Sequence, residues 1–83
     1  MTLDTFRQLQ PHDKVALVTA VGTHLAKRRH YQRDIHLYFL PNSGVGFFVE
    51  VSYEPVLESM LVLRSFTDTA TLVDYAHHIR LPL

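Results

Sequence analysis

Histidine has the widest chemical repertoire of the residues here, as metal ligand, general base and pH sensor. The chain carries six histidines in 83 residues. Their spacing does not predict a metal centre. His77 and His78 are adjacent, and neighbours on a helix point too far apart to share an ion. His30 and His36 flank a tight connection and approach each other across it, but no third ligand is in view. His12 and His24 belong to different elements. The expectation is exposed or hydrogen-bonded rings and no metal; His77 or His78 also suits the negative end of a helix.

The densest charge run is Lys27-Arg28-Arg29-His30-Tyr31-Gln32-Arg33. Cations with an aromatic among them grip phosphates and stack a base, so Lys27, Arg28, Arg29, Tyr31 and Arg33 form a candidate nucleic-acid surface. On a strand, however, Lys27 and Arg29 face away from Arg28 and His30. The same run also serves as a charged strand edge that blocks aggregation. Glu50 lies inside an apolar run, where a lone carboxylate is disfavoured. It predicts a cross-strand ion pair, with His36 or Arg64 as partner. Glu50 with Tyr53 is also a candidate ligand-binding pair, should a curled sheet form a pocket against a helix.

Other signatures are missing. Asn42-Ser43-Gly44-Val45-Gly46 is glycine-rich but leads into a strand and carries no P-loop lysine, so it reads as a hairpin turn. Ser43, Ser52, Ser59 and Ser65 lack a nucleophile-elbow context. No catalytic residue and no cofactor are expected, and the chain is not read as an enzyme.

The elements that position these residues follow from periodicity. Thr2 is a fair N-cap for a short helix with Leu3, Phe6 and Leu9 on one face. Pro11 opens a second helix, with Ala16, Leu17, Ala20 and Val21 expected inward and Gly22 at its end in a left-handed conformation. The period then drops to two. Strands are expected over about Thr23–Tyr31, Ile35–Leu40, Val45–Tyr53 and Leu57–Phe66, with Gln32-Arg33-Asp34 as the first connection and Pro41-Asn42-Ser43-Gly44 as the second turn. Thr67 or Asp68 caps a last helix with Leu72, Val73, Ala76 and Ile79 on its buried stripe.

The expected fold is therefore one α+β domain over residues 1–83. Its order is α-α-β-β-β-β-α around a four-stranded antiparallel β-meander, because short turns cannot make parallel crossovers. The fourth strand stands out. Met60, Val62 and Phe66 fall on one face by alternation and Leu57, Leu61 and Leu63 on the other, so it is apolar on both sides. Tyr38, Leu40 and Phe48 are expected to add apolar surface outside. Helices on one face leave the other to a second subunit, unless the sheet curls to hide it.

Lys+Arg and Asp+Glu number 8 each, and this neutral balance gives no long-range pull toward nucleic acid or anionic lipid. Asp4 and Arg7 interrupt the start before any apolar run, unlike a secretory leader, and no stretch has the length of a membrane span. The chain has no cysteine, so its 47% hydrophobic residues must stabilise it by packing alone.

Leu3-x-x-Phe6-x-x-Leu9, a helix ended by Gly22, Leu37-Tyr38, Phe47-Phe48-Val49-Glu50-Val51-x-Tyr53 and Arg64-Ser65-Phe66 together resemble short uncharacterised bacterial α+β proteins with no assigned activity. The resemblance implies a bacterial, stand-alone, cytoplasmic domain and carries over no functional residue. The expected function is protein–protein interaction, chiefly as a homodimer and otherwise with another protein, through Tyr38, Leu40, Phe48, Leu61 and Leu63. Nucleic-acid binding through the basic hairpin is the alternative, and small-ligand binding the third.

Overall fold

The computed structural model describes residues 1–31, 33–41, 46–54, 56 and 58–68. Two helices, α1 (Leu3–Arg7) and α2 (Pro11–Val21), precede four strands: β1 (Thr23–His30), β2 (Arg33–Leu40), β3 (Phe47–Glu54) and β4 (Ser59–Phe66). The strands form one antiparallel sheet in the order β1-β2-β3-β4, so among the described residues β1 and β4 are its edges. The α+β meander expected from alternation is present. The helix expected around Leu72–Ile79, and Asn42, Ser43 and Gly44 of the second expected turn, lie outside the described residues.

Local chemistry explains the helix starts. The Thr2 hydroxyl accepts the Thr5 N–H at 3.2 Å and caps α1. Pro11 occupies the first turn of α2, where its missing N–H is no loss. The inward stripe of α2 differs from the expected one. Val18 is buried, with Val15 and Leu17 half-buried, whereas Ala16, Ala20 and Val21 are exposed. A helix apolar on most sides does not reveal its buried face by pattern, and the bulkier side chains win the core.

Gly22 also departs from expectation. Its backbone is extended (φ −74°, ψ 147°), not left-handed. A Cβ at this position would lie 2.5 Å from the Val18 carbonyl oxygen and 3.3 Å from the Tyr38 ring. Glycine is needed here chiefly because a Cβ would meet the helix's own Val18 carbonyl, with the Tyr38 ring of the sheet close behind.

Both helices pack on one face of the sheet, α1 against β4 and α2 against β4 and β2. That face holds the main core: Phe6, Val18, Leu40, Phe47, Val49 and Val51, with Leu3, Leu9, Leu17, Tyr38, Met60 and Val62 packed around it. Phe6 meets Phe47 at 5.3 Å between ring centroids.

The opposite face carries Ala26 and Leu37, both buried, with Leu25, Phe48 and Phe66 against them. Phe39, Phe48 and Phe66 lie directly across from one another on β2, β3 and β4. Their centroids are 5.4 and 5.5 Å apart, one edge-on contact and one stacked.

Each edge strand carries one irregularity. In β1 the register slips between His24 and Ala26, leaving Leu25 as the extra residue. In β4, Val62 lies opposite Val51 but Arg64 lies opposite Glu50, so Leu63 is extra. Such a bulge resets the alternation. Phe66 therefore shares a face with Phe48 and Leu61, not with Met60 and Val62 as plain alternation predicts.

The first connection is shorter than expected. Arg33 and Asp34 belong to β2, and His30 pairs with Arg33 across a two-residue loop. Such a loop demands positive φ, and Tyr31 adopts 57°.

Replacing Gly22 with alanine forces a methyl group into backbone. We expect a loss of about 1–3 kcal/mol, the usual effect of overpacking. Urea denaturation monitored by circular dichroism measures it; an unchanged midpoint would contradict the close-approach role.

Candidate functional site

Three constellations emerge from this register. The first sits on the face away from α1 and α2. Glu50 is 0% exposed there, in the middle of β3. The Arg28 Nη2 lies 3.2 Å from its Oε2, and Arg64 Nε donates to its Oε1. The cross-strand pairing expected with Arg64 is present; His36, the other candidate, faces the helix side. Arg28 comes from the basic run and reaches Glu50 from β1, past Leu37. The Arg64 guanidinium carbon also stands 5.4 Å from the Phe66 ring centre.

The second constellation was not legible from spacing. His24 and His36 meet across β1 and β2, with Nε2 and Nδ1 2.9 Å apart. Their ring centroids are 5.1 Å apart, and the Tyr38 ring stands edge-on to His24 at 5.2 Å. Within the hairpin, His30 pairs with Arg33 and His36 with Lys27, so the expected approach of His30 to His36 gives way to His24. Burial lowers the proton affinity of His36 below the ordinary histidine value of 6.5; His24 and Lys27 push the same way, and Asp34 opposes them. Two rings that share one hydrogen bond cannot both carry a proton on the facing nitrogens. Among the described residues, no group of three or more His, Asp or Glu is placed to hold a metal.

The third is the surface of β4 and the hairpin end of the sheet. Leu61 and Leu63 are 51% and 45% exposed. Leu63 flanks an open groove of about 800 Å³ with Ile35 and Ser52 in its lining and His30, Tyr31 and Arg33 from the β1–β2 hairpin.

The five residues expected to form one apolar outer surface are thus divided. Leu40 is buried in the helix-side core and Tyr38 packs against the same core, while Phe48, Leu61 and Leu63 lie on the other face. The physical reason is parity: Tyr38 pairs with Val49, and Leu40 with Phe47, both of which α1 and α2 cover. Glu50 and Tyr53 are similarly separated, since an odd offset along a strand sends side chains to opposite faces. They do not share a pocket.

The basic run is also divided. Lys27 and Arg33 are exposed, Arg28 turns to Glu50, and Arg29 lies 3.7 Å from Asp34. Tyr31 is exposed at the loop tip, edge-on to His30. No helix among the described residues is long and apolar enough to cross a membrane.

Glu50→Gln removes the charge that faces two arginines in a buried setting. We expect a loss of about 3–5 kcal/mol, against under about 1 kcal/mol for Asp34→Asn in the more exposed Arg29 pair. Chemical denaturation of both variants makes the comparison; equal losses would refute the distinction.

The His36 shift has a definite sign. Its folded value lies below the unfolded one, so the stabilisation is complete above about pH 6.5 and is lost as pH falls through the folded value. In chelator-treated buffer the melting temperature should decline between neutral pH and pH 5, and His36→Gln should decline less. An equally steep decline in the variant would exclude His36 as the source. Comparison of the chain with protein-family models, with curated proteins and with solved structures finds no match.

Proposed function

We propose that this domain is a non-enzymatic protein–protein interaction module that pairs with a second copy of itself along β4. One observation carries the reading. β4 is a sheet edge on which Leu61 and Leu63 are exposed together, while its charged residue, Arg64, is turned to Glu50.

The other edge shows what guarding looks like. β1 presents Lys27 and Arg29 to solvent, and such charge discourages another chain from approaching. On β4 the one cation, Arg64, is exposed but met by the Glu50 carboxylate, so this edge presents less net charge to a partner. Two copies related by a two-fold axis bring the same leucines together from both sides, as self-complementary interfaces do. Net charge of zero adds no repulsion between copies. Tyr38 and Leu40 have no part in this surface. The reading assumes a bacterial cytoplasm, on the resemblance described above.

Two leucines per copy are a small apolar patch beside the roughly 1,200 Å² or more of a stable interface. Association in the micromolar range follows. Sedimentation equilibrium at roughly tens of micromolar should show a dimer, and Leu63→Asp should weaken it by at least about tenfold, or 1.4 kcal/mol. A wild-type monomer at that concentration removes the proposal, as does a dimer that Leu61→Asp and Leu63→Asp both leave intact.

A further inference from the structure

We propose that His24 and His36 form a surface site for a divalent transition-metal ion, selective for copper(II) and nickel(II) over zinc. The proposal is independent of dimerisation: the pair lies on the β1 half of the helix-side face, away from β4.

The argument is geometric. An imidazole nitrogen binds such ions at about 2.0–2.1 Å. The ring centroids are 5.1 Å apart and the nitrogens 2.9 Å, so the two lone pairs lie close to the line that joins them. Once both rings turn off that line, nitrogens at this spacing subtend roughly 90° at the ion. That is the angle between neighbouring ligands in square-planar or octahedral coordination, which copper(II) and nickel(II) prefer. Tetrahedral zinc needs a wider angle, with the nitrogens near ~3.4 Å, so the rings would have to spread. The Irving–Williams order favours copper further.

The two donors stand side by side before the ion arrives, and their rings must turn to converge on it. His36 is half-buried, and its strand is held on both sides by antiparallel pairing. His24 is exposed, which leaves the ion open to solvent, and its ring rests edge-on against Tyr38. Water fills the remaining coordination positions. In the free pair one ring donates its N–H to the other. On binding, that ring moves its proton to its remote nitrogen through solvent, and both rings turn so that their lone pairs converge on the ion. No net proton is released from a neutral pair.

Lys27 is the direct cross-strand neighbour of His36 and bears a positive charge. It opposes a cation, and its neutral replacement should tighten the site.

The test uses the full, untagged chain with copper, nickel or zinc chloride alone, in a non-coordinating buffer near pH 7.5. Titration calorimetry should give affinities in the order copper, nickel, zinc. Electron paramagnetic resonance of the copper form should show two imidazole nitrogens. His24→Gln and His36→Gln should each weaken binding by about tenfold or more, because the second donor acts at high effective concentration. Each should reduce the nitrogen count to one. His12→Gln and His30→Gln should leave affinity unchanged, and Lys27→Gln should raise it. Circular dichroism confirms that each variant is folded, and exposed His24 supplies the informative variant should His36→Gln unfold. Unaltered copper affinity in His24→Gln overturns the proposal, as does tighter binding of zinc than of copper and nickel.

Discussion

A carboxylate withdrawn from water at the centre of a sheet imposes a strict condition on everything around it. The desolvation of Glu50 amounts to several kcal/mol unless countercharge arrives with good geometry. Arg28 and Arg64 supply it from the two edge strands, so a single side chain on β3 ties β1 and β4 to the middle of the sheet. The condition reaches into register. A one-residue slip of β4 against β3 would send Arg64 to the helix side and leave Glu50 facing a leucine. The packing of apolar side chains favours many similar arrangements; the buried charge favours this one.

Much of this was legible in the residues. Alternation across Phe47–Tyr53 marked a strand, Thr2 marked a helix start, and short turns required antiparallel neighbours. Glu50 inside an apolar run demanded a cation, and Arg64 was among those foreseen. The remaining features depend on register, which pattern alone does not carry. The bulges at Leu25 and Leu63 shift parity by one, and a run of apolar residues reads the same with or without them. Parity also moved Tyr38 and Leu40 to the helix side. The meeting of His24 with His36 needs the exact offset between two strands, and no spacing along the chain reveals it. Gly22 was visible as a helix end, but its reason lies in how closely a Cβ there would approach the Val18 carbonyl, with the Tyr38 ring next.

The two edges divide the surface by chemistry. On β1, cations are spent on carboxylates or left in water, and a pair of imidazoles looks outward beside them. On β4, Leu61 and Leu63 are exposed beside Ser59 and Arg64, and Glu50 meets the arginine's charge. The Arg7 guanidinium meets the same strand near its end, donating to the Ser65 carbonyl at 2.8 Å, so that part of the edge is closed by the chain's own first helix. What remains accessible on β4 is the stretch around Leu61 and Leu63.

The bulge at Leu63 makes β4 unusually forgiving of a change in length. Ahead of it, odd-numbered residues look away from the helices; beyond it, even-numbered residues do. Excising Leu63 would restore simple alternation with every other side chain still on the face it occupies now. Arg64 would still reach Glu50, and Phe66 would still lie opposite Phe48. A deletion of one codon, which scrambles most strands, would here be silent for the interior and alter only the outer rim.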